Sequence, residues 1–234
     1  MCLAVAPAQA ATADYPSPCT YANFEAPARL SFVGQWLNAS SPLHNDCTSP
    51  FLSEKFAAMW GAVATNGAVV DEVWYHTTGD AATWDEDPAI NVEDTIHLGR
   101  WSWRPESGFT DIDLPGINET LTLQEMNSPT TDVRVGSSGT VSATRQGGLV
   151  TVRSQSKRYW TSTHAFGQWA KAVGVIQYRV PGTATWHNLK NVSADGYGRY
   201  VYTYMVSSRR DYRVVAFDAA PYIWGSVSSG IATA

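Results

Sequence analysis

From residue 149 onward the chain is a succession of β-branched and aromatic runs separated by turn residues. No stretch with a helical period of 3.6 intervenes. Leu149-Val150-Thr151-Val152-Arg153-Ser154 alternates apolar and polar side chains after the turn Gly147-Gly148. Residues 173–180 (VGVIQYRV) stop at Pro181-Gly182, and Trp186-His187-Asn188-Leu189 is a short piece before Asp195-Gly196. Residues 200–205 (YVYTYM) and 212–217 (YRVVAF) follow, and a last run begins at Ile223. Period-two runs of this kind, punctuated by turns, predict an antiparallel β-sandwich of about seven strands in about 100 residues.

The first half is less regular. Residues 29–33, 69–76, 95–98 and 121–123 read as strands, whereas residues 53–60 (SEKFAAMW) fit either a helical turn capped by Ser53 or a strand. An internal echo links the halves. Gly99-Arg100-Trp101-Ser102-Trp103 and Gly198-Arg199-Tyr200-Val201-Tyr202 share the order glycine, arginine, aromatic, any, aromatic. Residues 137–144 (SSGTVSAT) resemble residues 228–233 (SSGIAT). Two echoes suggest a related sandwich in each half, with the boundary at the Ser, Pro and Gly positions near residues 128–138. The expectation is therefore an all-β chain of two tandem antiparallel β-sandwiches, residues 14–133 and 134–234.

Charge separates the same two halves. Residues 1–127 hold 17 acidic and 4 basic side chains, and residues 128–234 hold 4 acidic and 12 basic, giving net charges of −13 and +8. Opposite signs favour mutual attraction or two different partners. The overall charge of −5 argues against a nucleic-acid protein. With 44% hydrophobic and 16% charged residues the chain has the balance of a folded protein. No apolar run approaches the ~20 residues of a membrane helix.

Residues 1–13 read as the tail of an export signal. Cys2-Leu3-Ala4-Val5-Ala6 is apolar, and Ala8-Gln9-Ala10 is a small-x-small cleavage pattern. This predicts a secreted, extracellular protein. Of the three cysteines, Cys19 and Cys47 are then expected to form a disulfide, worth on the order of 3 kcal/mol for a loop of about 29 residues. Neither lies in a CxxC motif.

Residues 128–234 resemble the bacterial immunoglobulin-like domains of secreted actinobacterial proteins. The stretches that carry the resemblance are VTVRSQSKRYW, IQYRVPGTATWHNLKNVSADGYGRYVYTY and DYRVVAFDAAPYIWGSVSS. It implies the sandwich fold and says almost nothing about activity. Val214 stands where antibody-type domains carry an intersheet cysteine, so packing alone must hold the core. Tyr212 is placed to form a tyrosine corner, its hydroxyl tied to nearby backbone.

Candidate chemistry is sparse. Asp85, Glu86 and Asp87 supply three carboxylates beside Pro88, a conceivable calcium loop that lacks the spaced DxDxDG pattern. No other cofactor is expected. Trp74, Trp84, Trp160 and Trp169 lie in or near expected loops and are candidates for stacking on sugar rings, whereas Trp101 and Trp103 alternate like core residues. The chain has no GxSxG or HExxH, and its five histidines are scattered. The bases Lys157, Arg158, Arg209, Arg210 and Arg213 spread over separate strands and turns, which fits solvated strand faces; only if gathered into one patch would they suit acidic cell-wall polymers. These features predict a non-catalytic extracellular interaction or adhesion protein whose partner is a protein or a polysaccharide. The alternatives are a carbohydrate-binding module using loop tryptophans, with calcium assistance, and a secreted hydrolase with a carboxylate pair.

Overall fold

The computed structural model describes residues 21–45, 54–77, 84–87, 89–94, 97–114, 117–122, 125–228 and 230–234. The export-signal segment, Cys19 and Cys47 lie outside these residues. Among the described residues all regular structure is β. The first unit contains β1 (Tyr21–Phe24), β2 (Arg29–Phe32), β3 (Trp36–Ser40), β4 (Leu43–Asn45), β5 (Glu54–Ala64) and β6 (Val69–Thr77). It continues with β7 (Trp84–Asp87), β8 (Ala89–Glu93), β9 (Gly99–Leu114), β10 (Ile117–Thr122), β11 (Glu125–Met126) and β12 (Thr130–Val135). The second unit contains β13 (Ser137–Gln146), β14 (Leu149–Trp160), β15 (Ala165–Gln168), β16 (Val173–Arg179) and β17 (His187–Ser193). It closes with β18 (Arg199–Met205), β19 (Asp211–Ala216), β20 (Ser226–Val227) and β21 (Ala232–Thr233).

Among the described residues, none of the sheets takes strands from both sides of Gly136. In the first unit the sheet β2-β12-β9-β5-β6-β7, with β10 on β9, packs against β11-β1-β4 and the pair β3-β8. In the second, β13, β14, β15 and β18 form one sheet, and β17, β16, β19, β20 and β21 form the other. In the second unit the chain thus runs β13 to β15 in one layer, crosses for β16 and β17, returns for β18 and crosses again for β19 to β21, the between-layer crossing of an immunoglobulin-like sandwich. The chain is two such sandwiches in tandem.

The first core is aromatic. Phe24 on β1 meets Trp60 and Trp103 across the layers, each at 5.0 Å between ring centroids, and Trp60 meets Tyr75 edge-on at 5.9 Å. Trp60 also donates its indole N–H to the Asn127 carbonyl at 2.9 Å, so its polar tip is satisfied in the interior. Residues 53–60, ambiguous by propensity, resolve as strand from Glu54. Ala58, Trp60, Ala62 and Ala64 are all buried, a period of two, and β5 is paired on both edges by β6 and β9. Pairing overrides the alanine-rich, helix-favouring composition. Residues 97 and 98 are not strand, and β9 starts only at Gly99.

The echoed pentapeptides do the same local work in both units. Gly99 and Gly198 have φ of 117° and 77°, a region that favours glycine, and each turns the chain into a strand. Trp101, Trp103 and Tyr200 are then buried, and Arg100 and Arg199 stay exposed. The second echo pairs the ten-residue β13 with a segment holding only the two-residue β21, so it does not mark one shared element.

The tyrosine-corner expectation needs correction. The Tyr212 hydroxyl meets the Tyr204 hydroxyl at 2.8 Å instead of backbone. Tyr200 makes the backbone tie, donating to the Ala172 carbonyl at 2.8 Å.

Candidate functional site

The outer face of the β17-β16-β19 sheet gathers the most organised polar surface of the second sandwich. Register sets Gln177 of β16 opposite Arg213 of β19, and Arg179 opposite Asp211. Tyr212, Val214 and Ala216 alternate with these positions and are buried. The β16–β17 connection turns at Pro181-Gly182, where Gly182 has φ of 83°, and brings Trp186 back over the two arginines. The guanidinium carbons of Arg179 and Arg213 lie 4.7 and 4.4 Å from the Trp186 ring centre.

Each arginine is held from behind by different chemistry. Arg179 Nε donates to Asp211 at 3.1 Å, and Asp211 also accepts from the Thr233 hydroxyl at 2.8 Å. Arg213 Nε donates to the Gln177 side-chain carbonyl at 2.7 Å, and Gln177 donates to Asn188 at 2.8 Å. Val227, Ser228, Gly230 and Ile231 close one side, leaving a depression of about 240 Å³ against Arg179, Trp186 and Arg213. A wider depression of about 350 Å³ lies over the other sheet, lined by Thr140, Ser142, Arg153, Gln155 and Arg199.

The residues singled out from the sequence do not converge. Trp74 lies within β6, paired with Asp87 of β7, and is 39% exposed. Trp84 begins β7. Trp160 ends β14 at 37% exposure, its ring against Gly167 and under the Arg158 guanidinium at 3.5 Å. Trp169 is 6% exposed and belongs to the core, since β15 and the turn after it fold inward over the sandwich. All four were expected in or near loops: Trp84 and Trp160 stand at strand ends, Trp169 follows β15, and Trp74 lies inside a strand. Asp85, Glu86 and Asp87 lie on β7, an extended strand hydrogen-bonded to β6, not a turning loop. Among the described residues no group of three or more His, Cys, Asp or Glu side chains is placed to hold a metal ion. Sequence reasoning noted Arg213 and missed Trp186 as its partner. The available signal was the Pro-Gly turn, which folds Trp186 back toward the strand that precedes it.

A second constellation joins the sandwiches. Trp224 of the second unit is buried between Arg29 and Arg134 of the first, with guanidinium carbons 3.5 and 3.9 Å from its ring. Its indole N–H donates to the Leu30 carbonyl at 2.8 Å. Arg29 and Asp218 pair at 3.5 Å, and the Val135 and Ile223 backbones bridge in parallel. Elsewhere along the junction, the Asp94 carboxylate is fully buried. It accepts from the Tyr159 hydroxyl at 2.6 Å and bonds His164 Nδ1 at 2.8 Å. His164 sits at φ of 49°, uncommon for a residue with a side chain.

The Tyr159 phenol carries a pH dependence. Burial first, and the bond to Asp94 second, push its pKa up to about 12 from 10.0. The neutral phenol is the form the fold holds, so its contribution is complete below the unfolded value and is lost as pH rises from about 10 through about 12. Burial also raises Tyr200 and Tyr212. The urea midpoint is expected to be flat to about pH 9.5 and to fall above about pH 10. Tyr159→Phe should cost about 1.5–3 kcal/mol at neutral pH, because a buried carboxylate loses a donor, and should shallow the alkaline decline. An unchanged decline would mean that Tyr159 ionises no differently in the folded and unfolded states.

No family model and no curated protein matches the chain. Solved structures similar to it are a two-domain fibronectin type III segment of chicken tenascin, the ligand-binding domain of human OSCAR, and a putative carbohydrate-binding protein of Bacteroides uniformis. The tenascin segment is 10% identical with a TM-score of 0.34, covering 86% of this chain and 93% of that one. OSCAR is 12% identical with a TM-score of 0.28, covering 92% and 98%. The Bacteroides protein is 9% identical with a TM-score of 0.24, covering 92% and 98%. No helix long and apolar enough to cross a membrane occurs among the described residues.

Proposed function

We propose that this chain is a non-catalytic binding protein that works outside the cell and meets an extracellular polymer through its second sandwich. The observation that carries the reading is the Arg179–Trp186–Arg213 face. Its side chains are positioned by a carboxylate, two amides and strand register before any ligand arrives, which lowers the ordering cost of association. The excess of bases in residues 128–234 supports an acidic partner, and the small-x-small pattern near the N-terminus supports export.

A second reading, neutral-sugar binding, draws support from Trp160, whose ring is partly exposed and stiffened by Gly167 and Arg158. Retention of the protein on bacterial cell wall and on insoluble polysaccharides, with calcium or chelator and at low or high salt, tests both. The expected result is saturable retention that weakens as salt rises and does not depend on calcium. Retention that survives high salt and is lost in Trp160→Ala moves the site to the tryptophan. No retention under any condition overturns the polymer-binding reading.

A further inference from the structure

The depression beside Trp186 holds a positive charge that its surroundings do not neutralise. Arg179 is paired with Asp211. Arg213 uses its Nε–H on an uncharged amide, and among the described residues its two terminal nitrogens have no hydrogen-bond partner. Burial lowers the Arg213 pKa, and the Arg179 charge pushes in the same direction. An anion arriving at this guanidinium therefore meets a donor pair already held in place by the Gln177 bond and the Trp186 ring.

The walls select among anions. The Trp186 indole and the apolar side chains of Val227 and Ile231 border the same depression, so it offers flat apolar contact next to the charged fork. A bare aspartate or glutamate side chain would leave much of the roughly 240 Å³ unfilled, whereas a six-membered ring carrying a carboxylate fills it and uses both features. We propose that this depression binds a uronic-acid residue of an acidic polysaccharide, its carboxylate on the terminal nitrogens of Arg213 and the apolar side of its ring against Trp186, Val227 and Ile231. The proposal rests on the polymer-binding reading above and specifies its ligand.

The test is titration of the full chain with polygalacturonate, dextran, dextran sulfate and poly-glutamate at low salt. Polygalacturonate is expected to bind saturably and dextran not to bind. Arg213→Gln should weaken polygalacturonate binding about tenfold or more, and Arg213→Lys should weaken it about threefold, because an ammonium lacks the two-toothed geometry. Trp186→Ala should weaken it about fivefold. Arg209→Gln removes the same charge from an exposed residue away from the depression and should change binding less than about twofold.

Equal losses in Arg213→Gln and Arg209→Gln would overturn the proposal, since net charge alone would then be responsible. Poly-glutamate bound as tightly, with the same Arg213 dependence, would replace it with an acidic-peptide site. Tighter dextran sulfate binding with that dependence would replace it with a general anion site. Cell-wall retention that persists unchanged in Arg213→Gln, with no polygalacturonate binding, would overturn this proposal and leave the polymer-binding reading standing. Absence of both kinds of binding would overturn both. A thermal melt accompanies each variant, and where Arg213→Gln melts early the Arg213→Lys comparison decides.

Discussion

Replacing Trp224 with alanine is expected to cost about 3–5 kcal/mol and to split thermal unfolding of the chain into two transitions. Trp224 is 9% exposed, and its surroundings come from both sandwiches. Arg29 on β2 and Arg134 on β12 stack on its ring, and its N–H reaches the Leu30 carbonyl. Removal leaves two guanidiniums without their π partner, a buried carbonyl without its donor and a cavity of indole size. Trp224→Phe keeps the stacking surface and loses only the N–H, so it should cost about 1–2 kcal/mol and keep one transition. Differential scanning calorimetry separates these outcomes. A single, unshifted transition for Trp224→Ala would show that the sandwiches are coupled elsewhere, with the Asp94–Tyr159–His164 cluster the next place to look.

The second large effect compares two glycines that look alike in sequence. A β-carbon on Gly198 would lie 2.4 Å from the Ser156 carbonyl oxygen and 3.1 Å from the Trp169 nitrogen, and both neighbours are backbone. The residue also has φ of 77° and accepts a hydrogen bond from Ser156 N at 2.7 Å. Gly99 has φ of 117°, but a β-carbon there would meet nothing within 4 Å. Gly198→Ala should therefore cost more than about 3 kcal/mol, adding displaced backbone to conformational strain. Gly99→Ala should cost only the strain, about 1–2 kcal/mol. Urea denaturation at neutral pH measures both. Equal costs would mean that β14 at Ser156 and the turn after β15 at Trp169 shift freely.

The strands legible beforehand are those in which burial alternates with polarity along one run. Residues 149–154 and 200–205 belong to β14 and β18, which lie side by side in one sheet. Residues 137–146 were legible only as linker and echo, because serine and glycine mark turns and Val141 is the one large apolar residue among them, too little for a period-two run. They become β13 by pairing with β14 along ten residues. Both functional constellations were less legible still, because strand register and long-range packing create them. Arg213 and Gln177 meet across 36 positions, and Trp224 and Leu30 across 194. Even Asp94, one acid among many in an acidic half, is distinguished only by the Tyr159 and His164 brought to it from the other sandwich.

Strand β12 ends at Val135 and β13 begins at Ser137, so Gly136 alone separates the sandwiches. A β-carbon there would strike the Val33 and Ser31 side chains at 2.6 and 2.8 Å, which leaves the connection no slack. With Trp224 packed across it, a unit of net negative charge and a unit of net positive charge are tied to one another, so the asymmetry written in the sequence becomes a directional property of the molecule. Near an acidic polymer, the partner proposed above, such a body would turn its positively charged unit toward the surface before contact. On the reading proposed above, the negatively charged unit would then be held away from the polymer, and the bound protein would offset little of the polymer's own charge.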